Sequence, residues 1–130
     1  TCIDLACLYA ALLESAYQRP VLIHYEGHMR CGVWLEGKSA FPDNSPLCLD
    51  RKAFQNMMNA GNLLVVECIG FATGEQPTNH AHGPLPLNLP FEDAVVQPTT
   101  GSAAGTRQFV FALDVAKCRW PHDILPIDQA

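Results

Sequence analysis

Thr1-Cys2-Ile3-Asp4-Leu5-Ala6-Cys7-Leu8-Tyr9-Ala10-Ala11-Leu12-Leu13 is the stretch whose reading decides the fold. A threonine followed three residues later by an acid has the form of a capping box, in which side chains satisfy the backbone donors of a helix's first turn. Leu5, Leu8, Leu12 and Ala16 then recur at helical spacing, and the alanines between them favour the helix further. The pattern predicts a helix over about residues 3–16. Gln18-Arg19-Pro20 ends it, because the residue before a proline is pushed out of helical dihedrals.

Beyond the helix the period changes. Residues 21–25 and 30–35 are rich in β-formers, and Glu26-Gly27 between them predicts a hairpin or close turn. Residues 37–46 read as loop, and residues 50–58 as a second helix with Gly61 near its end. Residues 63–69 form a compact apolar strand. The polar, Pro- and Gly-rich passage 73–89 reads as a long loop, residues 90–95 as a short helix, and 97–106 as a low-complexity linker. Residues 109–113 give a last strand, and the tail from Trp120 is expected to be peripheral. The expected class is α+β, with a leading helix packed on an antiparallel sheet.

Bulk properties narrow the function. With 130 residues, 48% of them hydrophobic, the chain is one domain large enough to bury a core. Its net charge of −5, with eight basic residues in no stripe, argues against a nucleic-acid partner. The longest apolar run, residues 5–13, is far short of the roughly 18 needed to span a bilayer. Six cysteines spread through apolar stretches without a CxxC fit buried free thiols in a reducing compartment, and so a cytoplasmic location.

Three residues carry candidate chemistry. Cys2 falls in the first helical turn, where unpaired N–H groups and the helix dipole stabilise a thiolate. His28, just after the turn between strands, is the candidate base. Glu67 is a carboxylate inside an apolar strand, a costly position without a partner, and so the candidate group to orient an imidazole. Each has a plainer reading as packing, as a satisfied structural histidine, or as an edge carboxylate.

Thr1-Cys2-Ile3-Asp4-Leu5-Ala6-Cys7-Leu8-Tyr9-Ala10-Ala11-Leu12-Leu13 resembles the nucleophile helix of the transglutaminase-like superfamily, whose core is papain-like. Gly27-His28-Met29-Arg30-Cys31-Gly32-Val33-Trp34-Leu35 is similar to the strand bearing that family's histidine, and Leu64-Val65-Val66-Glu67 to the strand ending in its acidic residue. The resemblance covers about residues 1–70, with Glu67 where the family usually carries Asp or Asn.

What the resemblance implies is a Cys2–His28–Glu67 triad acting on amide or ester bonds through an acyl-enzyme, with no cofactor and no metal. The substrate would be a peptide, a protein or a small amide. It also implies a bacterial branch in which this domain, an N-terminally truncated fragment spanning 1–130, belongs to a longer polypeptide. Two other readings stay open: a catalytically inactive binding module with residues 73–89 as its recognition surface, and a metal site drawn from His80 and His82 or from His24 and His28.

Overall fold

The computed structural model describes residues 1–68, 91–96 and 108–120. The loop at 73–89, the linker at 97–106, the tail beyond Trp120, and His80 with His82 all lie outside those residues.

The capping box forms as the sequence predicts. Thr1 Oγ1 accepts from the Asp4 amide at 3.4 Å, and the Asp4 carboxylate reaches back to the cap, opening α1 at Cys2–Ser15. The helix ends earlier than Pro20 requires. Tyr17 takes the left-handed conformation at φ 59, while the amides of Tyr17 and Gln18 bond back to the carbonyls of Glu14 and Leu13. That is the paired closure a glycine normally supplies. After α2 (Arg51–Asn59) Gly61 does supply it, with φ 77 and the amides of Gly61 and Asn62 on the carbonyls of Met58 and Met57. The start of α2 is capped by Asp50, whose Oδ1 accepts from the Lys52 and Ala53 amides.

β1 (Pro20–Tyr25) and β2 (His28–Trp34) form the hairpin, with Gly27 at φ 68 in the Glu26-Gly27 loop. β2 starts two residues before the expected strand, because Tyr25 pairs with His28. β3 (Leu47–Cys48) is too short to have been read from the sequence. β4 is Leu63–Val66, shorter than the apolar run, and β5 is Phe109–Asp114. The five strands lie in the order β3-β5-β1-β2-β4, every neighbouring pair antiparallel. A short α3 (Phe91–Ala94) leads into residues 94–96, which bond to the outer edge of β4 through Glu67 N to Ala94 O and Val96 N to Val65 O. A helix absent from the sequence reading, α4 (Val115–Arg119), follows β5 and is capped by Asp114. The structure is thus α+β, with helices on a multi-stranded antiparallel sheet.

Residues paired across an antiparallel ladder share a face of the sheet, and the two faces carry separate cores. Leu22, Met29 and Cys31 face α1 and meet Ala6, Ala10 and Cys68. Val21, Ile23, Trp34, Val65 and Phe109 face the other way and meet Phe54 and Met58 of α2. Buried Ala6 and Ala10 let the α1 backbone lie close on the sheet, so Leu8 and Leu12 flank the contact and stay more than half exposed. The expected Leu5/Leu8/Leu12/Ala16 stripe is therefore displaced around the helix.

One buried carboxylate ties the α2 side together. Asp114 accepts from Trp34 Nε1 at 3.0 Å and Arg19 Nη2 at 3.3 Å, in addition to capping α4. At the other end, Arg119 grips Glu14 with two nitrogens at 2.6 and 2.7 Å, fixing α4 to the last turns of α1.

Candidate functional site

Two of the three candidate residues meet. His28 Nε2 lies 2.8 Å from each oxygen of the Glu67 carboxylate, and both side chains are buried. Local folding explains the meeting. The hairpin register begins at His28, β4 pairs with β2 from Leu63 to Val66, and Glu67 follows directly beside the start of β2. Its backbone amide is held by Ala94, which fixes the carboxylate's position.

A third residue, not among those read from the sequence, completes the cluster. Arg30 Nε donates to Glu67 Oε2 at 3.0 Å, and its guanidinium lies over the Tyr25 ring at 4.9 Å. The signal was present: Arg30 is two residues from His28 on a strand, so the two side chains share a face. Burial alone would raise the Glu67 pKa. The hydrogen bond and charge of His28, with those of Arg30, outweigh it and hold the carboxyl below its ordinary range. Burial also pushes the Tyr25 phenol up, against the pull of Arg30.

Cys2 stands apart from this cluster. It is half-buried in the first turn of α1, and no hydrogen bond or ion pair among the described residues joins its thiol to His28 or Glu67. The reason lies in the register. His28 pairs with Tyr25 and follows the α2-side alternation with Arg30 and Ile23, whereas α1 packs on the opposite face over Met29 and Cys31. A short connection after α1 sends β1 back along the helix, so the Tyr25–His28 turn and Cys2 lie toward the same end of the sheet. They share an end and are divided by a face.

Nor do His24 and His28 share a site. His24 faces α1 beside Phe111, at a ring separation of 5.1 Å, and His28 faces away. No group of three or more metal-ligating side chains occurs among the described residues.

The α1 side carries the other notable feature, an open groove of about 390 Å³ lined by Leu5, Leu8, Tyr9, Leu12, Cys68 and Phe91. The lining holds no Asp, Glu, Lys, Arg or His. No described helix is long and apolar enough to cross a membrane. Comparison of the chain with family models, with curated proteins and with solved structures returns no match.

Proposed function

We propose that this domain is a non-catalytic binding module on a transglutaminase-like frame, receiving an apolar segment of a protein partner as part of a longer polypeptide. The observation that carries the reading is the sheet lying between α1, which begins at Cys2, and the face bearing the His28–Glu67 pair. A thiol nucleophile is activated by a base within hydrogen-bond reach. Here His28 is bonded to the Glu67 carboxylate, which also accepts from Arg30, in a cluster that holds β2 to the exit of β4.

The surface for a partner is the groove along α1. Leu8, Leu12 and Phe91 expose 58, 57 and 46% of their surface there, a concentration that marks an interaction site more often than chance packing. A lining of leucines with two aromatic rings and a thiol selects apolar side chains, as helix-in-groove recognition does. A displayed library of short peptides tests this with the full chain as bait. Peptides rich in Leu, Ile and Met should be enriched, and Leu8→Asp with Leu12→Asp should abolish their binding. Enrichment of charged peptides, or binding indifferent to those two substitutions, would contradict it.

One observation favours a second reading, a Cys2–His28–Glu67 hydrolase. Cys2 sits in the first turn of a 14-residue helix whose start lies toward the hairpin turn, and His28 has a carboxylate partner of the kind a triad uses. This reading needs α1 to shift so that the thiol passes the sheet edge. Acetylation by p-nitrophenyl acetate distinguishes the two. A rapid acetyl adduct on Cys2, cleared with turnover, supports the hydrolase; slow labelling shared with exposed Cys7 supports the binding module.

A further inference from the structure

Cys31 takes part in neither reading, and Cys68 enters only as a border of the groove. Cys31 in β2 pairs through its Cα with Val66, two residues before Cys68, and both cysteines are buried in the small core beneath α1. They lie diagonally across neighbouring segments on the α1 face, and each thiol has a backbone carbonyl in reach, Gly32 O for Cys31 and Val66 O for Cys68. Two thiols placed diagonally on one face of adjacent β segments, within one packed core, are neighbours from which an intramolecular disulfide can close with a local backbone adjustment. Access comes from the other side, since Cys68 also borders the open groove along α1.

We infer that Cys31 and Cys68 form a peroxide-oxidisable dithiol site, closing to a disulfide that fastens β2 to the segment leaving β4. The adjacent Cys31 thiol lowers the Cys68 pKa, against burial, and the Arg30 charge acts in the same sense while Glu67 opposes it. The adjacent Cys68 thiol and burial push Cys31 up. Cys68, which borders the open groove, is the thiol that peroxide reaches first, and as its thiolate it is the attacking group.

The step balances with hydrogen peroxide as the oxidant. The Cys68 sulfur attacks one peroxide oxygen, the O–O bond breaks, and the departing hydroxide takes up the Cys68 proton as water, leaving a sulfenic acid. The Cys31 sulfur then attacks the Cys68 sulfur. The S–O bond breaks as the S–S bond forms, and the second hydroxide leaves as water with the Cys31 proton. Two thiols lose two electrons and one peroxide gains them.

Peptide mapping of the intact 130-residue chain tests the site. The folded protein is treated with a small excess of hydrogen peroxide, unfolded, alkylated and digested with trypsin, which separates Cys31 from Cys68 because it cuts after Arg30, Lys38 and Lys52. The expected product is a Cys31–Cys68 cross-linked peptide, with the six free thiols falling to four. Oxidation in urea should lose that selectivity. In Cys31→Ser the Cys68 sulfenic acid should persist and be trapped by dimedone. The proposal is overturned if oxidation falls first on Cys2 or Cys7, if the disulfide maps to Cys7 and Cys31, or if Cys68 remains fully alkylatable. The mapping of the unsubstituted chain decides the matter even if the serine variant does not fold.

Discussion

The imidazole Nε2 of His28 lies 2.8 Å from both carboxylate oxygens of Glu67, a shared contact between the first residue of one strand and the residue that follows its neighbour. Arg30 closes the cluster from the same face at 3.0 Å. The carboxylate thus answers two basic side chains, and its removal should be felt by both.

Glu67→Gln keeps the shape and removes the charge. Breaking one member of a buried ion pair leaves the others uncompensated and costs on the order of 3 kcal/mol. Urea unfolding should show that loss. A double-mutant cycle with His28→Ala should give a coupling above about 0.5 kcal/mol, the size expected for residues in one network.

The same carboxylate sets an acid limit. A folded pKa held below the unfolded value, about 4.3 for Glu, gives stability that is fully present above the unfolded value. It is lost as pH falls through the lower folded value. Stability measured by urea unfolding from pH 7 down to pH 3 should therefore fall on the acid side of about 4. Glu67→Gln should flatten that fall; an unchanged acid slope in the variant would contradict the assignment.

Tyr17 is a non-glycine residue in the left-handed region, at φ 59, and its side chain is almost fully exposed. A side chain there costs roughly 1–2 kcal/mol in local strain. Tyr17→Gly relieves it and loses little contact, while the greater freedom of glycine in the unfolded chain takes back part of the gain. A net stabilisation of about 0.5 kcal/mol is expected, read as a raised Tm.

Asp114 is fully buried and accepts from Trp34 and Arg19 while capping α4. Asp114→Ala strands the buried indole N–H and takes the carboxylate from Arg19, which keeps the Gly37 and Ser39 carbonyls. A cost of about 3 kcal/mol is expected in urea unfolding, with the Trp34 fluorescence altered in the folded state.

Much of the fold is legible in the sequence, for reasons that belong to particular residues. Thr1 and Asp4 mark the start of α1, Glu26-Gly27 the hairpin, and Asp50 and Gly61 the ends of α2. Glu67 in an apolar strand calls for a partner, and His28 is that partner. The faces were not legible. Val21, Leu22 and Ile23 are all apolar because the sheet is covered on both sides, so alternation does not say which residues look toward α1. With β2 read from Arg30, His28 is left without a side; the pairing with Tyr25 gives it one, away from the helix that carries Cys2. Leu8 and Leu12 mislead in the same way, since the helix is docked by Ala6 and Ala10 and its larger side chains line a groove.

The division of Cys2 from His28 by the sheet is tested most directly by the pH dependence of Cys2 alkylation with iodoacetamide, read site by site by mass spectrometry in the unsubstituted chain and in His28→Ala. The two profiles should coincide, because no hydrogen bond or ion pair among the described residues joins the imidazole to the thiol. A rapid reaction near pH 6 that disappears in His28→Ala would show a working thiolate–imidazole pair and would contradict the binding-module reading.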